Sequence, residues 1–271
     1  MTRSLVFFAL AWLLVTSGTI NIAHIHAADP KPLRVLLVLG GCCHDYAVQQ
    51  ELLVAGLSAR AHVKVDVAYD PDKTTGHLNP VYEKANWADN YDVVIHDECS
   101  SQIKDLALID RILEPHRKGL PAVLLHCGMH SYRSEGYPDI TPWFEFTGLQ
   151  STGHGPQQPI EISYLPDTGA ITEGLSGWKT INEELYNNSA GKLLDSATPL
   201  ARGKQLVNRR GEESVAESVV IWTNNYRDTA RVFATTLGHN NDTVADDRYL
   251  DLITRGLLWS CDKLNDEYLK K

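Results

Sequence analysis

Two histidines and a cysteine fall within five consecutive residues, His126-Cys127-Gly128-Met129-His130, directly after the apolar run Pro121-Ala122-Val123-Leu124-Leu125. Such a run reads as a buried strand, and in an open α/β sheet ligands bind beyond the carboxyl ends of the strands. Imidazole carries protons near neutral pH or ligates a metal, while a thiolate is a nucleophile or a soft ligand. Other reactive groups recur at the same kind of position. His44 and Asp45 follow the apolar segment Leu33 to Leu39, Asp97 and Glu98 follow Tyr91 to His96, and His239 follows Arg231 to Thr236. If these strands are parallel neighbours, all these groups face one crevice. His154, between Gly153 and Gly155, sits in a loop that could fold over it. His62, His77 and His116 read as solvated background.

Three chemistries fit this set. A divalent metal such as zinc, manganese or nickel could take His44, His126 and His239 with Glu184 as a carboxylate neighbour, although no H-E-x-x-H spacing occurs. Metal-free acid–base catalysis could use His126 and His239 as proton carriers. Cys127 could be a nucleophile, but it lacks the preceding glycine of a G-x-nucleophile-x-G elbow. Bland readings stand beside these. His126 could be a satisfied core histidine, Asp45 a helix cap, Glu183-Glu184 a solvated charge pair, and Tyr186 core packing. Cys42, Cys43 and Cys261 read as small buried hydrophobes, and Cys99 carries no signal.

The elements that would position these residues are legible from periodicity. Leu33 to Leu39 is apolar at nearly every position, as in a strand buried on both faces. Gly40-Gly41 ends it, and a helix over Tyr46 to Ala61 follows. Val63 to Val67 is the next strand, then Tyr91 to His96. A helix starts at Ser100 or Ser101 and stops at Gly119 before the Pro121 strand. This alternation predicts a doubly wound, mostly parallel sheet with helices on both faces. Ser134 to Gly155, with Trp143, Phe144 and Phe146, reads as a long functional loop with short helical pieces. Pro159 to Ser163 is a short strand. Ser218 to Trp222 and Arg231 to Thr236 form a hairpin joined near Asn224-Asn225, and a last amphipathic helix begins near Asp246.

The chain has 271 residues and a formal net charge of −9. Arg3, the apolar run Leu5 to Val15 and the small-residue site His26-Ala27-Ala28 form the pattern of a secretory leader. The run is shorter than the ~20 residues of a membrane span, so residues 1–28 are expected to be removed, with no stable span in the mature chain. Residues 29–271 are then enough for one large α/β domain. An acidic chain with scattered Lys and Arg is a poor partner for nucleic acid. Five cysteines, an odd number and with no C-x-x-C pair, do not make a disulfide framework or a zinc knuckle. Periplasmic or cell-surface placement in a bacterium follows.

Several blocks in order resemble the ThuA-like, or trehalose-utilisation, family, whose fold is similar to class I glutamine amidotransferases. They are the first strand with Gly40-Gly41 and His44-Asp45, the Leu125-His126 strand end, and Asn182-Glu183-Glu184-Leu185-Tyr186. Arg231 to His239, matching an Arg-Val-Phe…Leu-Gly-His block, and Arg255-Gly256-Leu257-Leu258-Trp259 complete the set. The resemblance implies a flavodoxin-like, class I glutamine amidotransferase-like architecture. Its amidotransferase relatives carry His-Pro-Glu where this chain has His239-Asn240-Asn241, so it argues against glutamine hydrolysis. It implies instead carbohydrate catabolism on a disaccharide or keto-sugar derivative, by hydrolysis, isomerisation or elimination. His126, His239 and Glu184 are then the catalytic candidates. His44, Asp45, His154, Tyr186 and Trp143 are the substrate-binding candidates, and His44, His126 and His239 the metal ligands. A non-catalytic carbohydrate-binding module and a hydrolase using Cys127 are the alternatives.

Overall fold

The computed structural model describes residues 29–188, 193–209 and 211–270; the expected leader, residues 1–28, lies outside the described residues. Five parallel strands form its frame: β1 (Leu33–Gly41), β2 (Val63–Asp70), β3 (Val93–Cys99), β4 (Ala122–Leu125) and, much later in the chain, β11 (Ala230–Thr235). Their order is β2-β1-β3-β4-β11, all neighbours parallel. This is the flavodoxin-like winding, with a switch point between β1 and β3.

Alternate residues of β1 feed two cores, which is why the strand is apolar throughout. Val35, Leu37 and Leu39 pack with Leu53 and Leu57 of helix α1 (Tyr46–Arg60) and with Leu252, Ile253 and Leu257 of the last helix, Asp247–Ser260. Leu36 and Val38 face the other side, with Ile109, Ile112 and Leu113 of α2 (Leu106–Arg117) and Trp143 and Phe146 of α3 (Pro142–Thr147). Both faces are therefore covered, as the apolar runs require.

The sheet continues beyond β11 as an antiparallel extension. Strand β5 (His154–Gln158) stands apart and pairs with β8 (Glu183–Tyr186) in a two-stranded sheet. β6 (Glu161–Tyr164), β7 (Trp178–Lys179), β9 (Ala197–Arg209) and β10 (Glu212–Tyr226) add to the main sheet in the order β11-β10-β9-β6-β7. The short helix α4 (Asn241–Val244) and α5 (Asp247–Ser260) close the chain.

Three local expectations are corrected. α2 starts at Leu106, because Asp105 accepts hydrogen bonds from Ala107 and Leu108 amides; the Ser100 amide is taken by Ser131 Oγ at 2.8 Å. The β10–β11 turn lies at Arg227-Asp228, both left-handed with φ of 52° and 55°. Asn224 is held within β10, donating to the carbonyls of Glu145 and Phe146. Asp45 precedes α1, but its side chain makes no capping bond and instead accepts from Asn241 Nδ2 at 3.0 Å.

Candidate functional site: a histidine–carboxylate cluster at the sheet edge

The carboxyl ends of β1, β3, β4 and β11 open on the same edge, and the loops leaving them meet there. At the end of β1, Gly41 has φ 95°, and a Cβ on it would lie 2.4 Å from the Cys99 carbonyl. Only glycine lets β1 run that close to β3 before turning to His44. At the end of β4, His126 itself adopts a left-handed backbone, φ 38°. Such strained turns after a strand present a side chain at active sites, and here that side chain is an imidazole, with Cys127 one residue later.

His126 Nδ1 donates to the Thr236 carbonyl at 2.6 Å. Its Nε2 therefore carries the lone pair, and the Tyr186 hydroxyl donates to it at 3.1 Å. Burial, followed by the charge of His44, holds this imidazole well below its usual pKa, so it is neutral at pH 7. His44 lies with its ring centroid 4.7 Å from His126 and 4.8 Å from His239. One nitrogen from each of the three histidines lies within 4.8 Å of the others.

Glu184 sits against this triad. Its Oε2 is 3.4 Å from His239 Nδ1, 3.6 Å from His154 Nε2 and 3.7 Å from His126 Nε2. Burial alone would raise the Glu184 carboxyl; His239, with His154 and His44, outweighs it and leaves the carboxyl below its ordinary value. Burial likewise opposes protonation of His239, but Glu184 and then Glu183 prevail and raise it. The His239–Glu184 contact is close in charge terms, although His239 Nδ1 is not aligned for a hydrogen bond and remains buried without a partner.

Further contacts hold these groups in place. Glu183 is fully buried, and its carboxylate accepts from the amides of Gly238, His239 and Asn240 at 3.2–3.3 Å. Gln49 Nε2 donates to the carbonyls of Gly238 and His239. The loop after β11 is thus gripped on both its amides and its carbonyls. Tyr186 is held by a parallel stack with His130, centroids 4.0 Å apart, and His130 Nε2 is 2.8 Å from Ser151 Oγ.

The residues matched by the ThuA family, described as trehalose utilisation, are 34–260, nearly the whole described chain. The chain belongs to the ThuA family. A ThuA-like protein from Parabacteroides merdae ATCC 43184 shares the fold with a TM-score of 0.61 at 19% identity, covering 85% of this chain and 90% of that one. A ThuA-like protein from Bacteroides uniformis ATCC 8492 does so with a TM-score of 0.61 at 14% identity, covering 87% and 93%. The glutaminase domain of Trypanosoma brucei CTPS is a more distant likeness, with a TM-score of 0.46 at 9% identity over 88% of this chain and 100% of that one. No curated protein matches in sequence.

In this ThuA chain the cluster gathers His44, His126, His154, His239, Glu184 and Tyr186, and leaves out others. Trp143 is 2% exposed and donates its indole N–H to the Gly128 carbonyl at 2.9 Å, packed against His96 and Tyr132. It offers no ring face to a sugar. Cys127 is buried, and the Cys99 contact, then burial, push its thiol well above the usual value; this is no environment for a nucleophile. Cys99 is the opposite case, drawn down to about 6 by Cys127 and then His44 against burial. Asp45 lies at the exposed rim, and a pocket of about 210 Å³ lined by His44, Asp45, Tyr46, Tyr69 and Asp70 opens beside it.

Further readings need correction. Glu98 faces away from the edge, into the α2 side, where it accepts from Tyr82 and Tyr132. His77 and His116 are buried, not solvated. Cys42 and Cys43 are bonded to each other, and Cys43 is exposed, so neither is a buried hydrophobe. Gln49 and Cys99 carry no signal in the sequence, and Glu183, read there as half of a solvated charge pair, is fully buried.

Proposed function

We propose that this ThuA-family chain is an exported carbohydrate-processing enzyme that works through a divalent cation held by His44, His126 and His239, with Glu184 as proton acceptor. The observation that carries it is the triad itself: three imidazoles converge within ligand reach, and both nitrogens of His44 and Nδ1 of His239 are buried with no partner. Buried polar atoms are almost always satisfied, so a shared ligand is the economical account. The Nδ1–H bond of His126 to a backbone carbonyl is the support that metal-binding histidines usually have. Nitrogen donors with a nearby carboxylate suit zinc, manganese or nickel.

When bound, such an ion supplies Lewis-acid polarisation of a sugar carbonyl or hydroxyl. The protein does the rest. Glu184 is ionised at neutral pH and takes a proton from carbon or from water. The Tyr186 hydroxyl lies beside His126 and can hold an oxygen of the bound sugar. His154, 42% exposed on its side chain and 3.6 Å from Glu184, guards the rim and can return the proton. Family membership supports a carbohydrate role, with a disaccharide or its keto derivative as substrate, and hydrolysis, isomerisation or elimination as the reaction. Export rests on the leader pattern of residues 1–28. Among the described residues no helix is long and apolar enough to cross a membrane.

The test is elemental analysis of the gently purified chain, paired with NMR of products from a panel of disaccharides and their 3-keto forms. One equivalent of metal is expected, lost in His126→Ala and His239→Ala together with turnover. Full turnover by metal-free protein would refute the metal, and unchanged turnover in both variants would refute the site.

A further inference from the structure

The sulfur atoms on the other side of His44 take no part in the chemistry above. Cys99 ends β3, and Cys127 follows its parallel neighbour β4. Both are unbonded and buried. One nitrogen of His44 and the two Sγ atoms all lie within 4.8 Å of one another. Two ligands of a single ion at the usual ~2.0–2.3 Å stand at most about 4.6 Å apart, so the three donors already span a single-ion site to within small adjustments. A second observation agrees: neither nitrogen of His44 has a hydrogen-bond partner, and both are buried. The neighbouring sulfurs of Cys42 and Cys43 are excluded as donors by their bond to each other. Cys42 Sγ lies 3.4 Å from Cys99 Sγ on that flank.

We propose that His44, Cys99 and Cys127 form a second metal site, of two thiolates and one imidazole, that takes a thiophilic cation. Thiolate ligands select zinc or cuprous copper over hard ions, so this site differs in preference from the three-histidine cluster. Loading displaces whatever protons the two sulfurs carry to solvent, and the cation neutralises two sulfur charges in a place where unpaired charges would be costly. The two sites share His44, so an ion in one alters the other. The inference stands on the sulfur geometry and does not require the three-histidine cluster to be catalytic.

The experiment uses the full mature chain with its disulfide intact and cobalt(II) as the probe. A sulfur-to-cobalt charge-transfer band is expected in the wild type and in His239→Ala, and zinc should compete it away. Cys99→Ser and Cys127→Ser should each abolish the band and weaken zinc binding at this site by at least about tenfold, with circular dichroism confirming the fold. Cobalt uptake without a sulfur band in the wild type would overturn the proposal, as would a band surviving in both serine variants. A sulfur band in a chain whose histidine cluster takes no metal would leave this proposal standing and remove only the reading of that cluster.

Discussion

His126 and Thr236 are 110 residues apart, yet a 2.6 Å bond from His126 Nδ1 to the Thr236 carbonyl settles which imidazole nitrogen faces Glu184. Because the acceptor is backbone, no side-chain substitution at position 236 removes it. The orientation of His126 is built into the β4–β11 pairing, where Thr235 sits opposite Leu125.

Replacing that imidazole should therefore be more damaging than replacing its neighbours. His126→Ala is expected to lower turnover by about 10²–10⁴-fold, measured by steady-state kinetics, while His130→Phe, which preserves the stack on Tyr186, loses far less. Equal losses in the two variants would show that His126 has no special role.

Glu183 offers a test of positioning. Its carboxylate accepts from three successive amides of the His239 loop, and a carboxamide in its place could turn only one oxygen toward them. Glu183→Gln should destabilise the fold by about 1–3 kcal/mol and weaken metal affinity about 10–100-fold. Urea denaturation and metal competition read the two effects separately. Unchanged affinity at reduced stability would restrict Glu183 to holding the loop.

A buried histidine–carboxylate pair lies on the opposite face. His116 Nδ1 is 2.8 Å from the Leu120 carbonyl and so carries a proton, leaving Nε2 as an acceptor. His96 Nε2, 3.1 Å away, must then donate, and His96 Nδ1 lies 3.0 Å from Glu98 Oε1. Burial alone would raise the Glu98 carboxyl, but His96 keeps it below its usual value. Glu98→Gln removes the carboxylate that this buried imidazole faces and should cost about 3–5 kcal/mol, measured by chemical denaturation. A loss under about 1 kcal/mol would mean the pair is neutral.

The same group gives a pH dependence. Burial, with the charge of His96, pulls His116 down to about 3. Below ~6.5 the unfolded chain binds a proton there that the folded chain does not. This contribution is complete above that pH and is lost as pH falls toward 3, at about 1.4 kcal/mol per unit. Buried His126 and His130 act in the same direction. Stability measured between about pH 6 and 4 should fall less steeply in His116→Phe by one proton; an unchanged slope would place His116 in contact with solvent.

Trp143→Phe separates packing from binding. Loss of the indole bond to Gly128 should cost about 1 kcal/mol in stability with sugar affinity unchanged by calorimetry. Weaker sugar binding without a stability loss would return Trp143 to the site.

The parallel frame was legible because strands buried on two faces are apolar at every position, as Leu33 to Leu39 shows. β9 was not, and its alternation explains why: past Leu200, its buried residues are Ala201, Gly203, Gln205 and Val207, mostly small or polar. Gly203 is small because a Cβ would lie 2.7 Å from Ile160 and Val220. Gln205 is there to donate to the carbonyls of Gln158 and Glu183. The histidine cluster could be read from strand ends because His44, His126 and His239 each follow a strand of the same parallel set. Glu183 could not, because its partners are backbone amides, which leave no trace in residue types. Trp143 misled for a related reason: an aromatic residue in a glycine-rich loop looks the same whether it faces solvent or core.

The chain places its site residues at positions 44, 126, 184 and 239, so no contiguous piece shorter than about 200 residues contains them all, by count along the sequence. β11, whose following loop carries His239, joins the sheet beside β4, more than a hundred residues earlier. Occupancy of the site is therefore thermodynamically linked to completion of the whole sheet. A ligand present at a hundred times its dissociation constant adds about 2.7 kcal/mol to global stability by mass action. That increment would be felt as slower proteolysis of β2, at the far edge, as much as of the loops around the histidines.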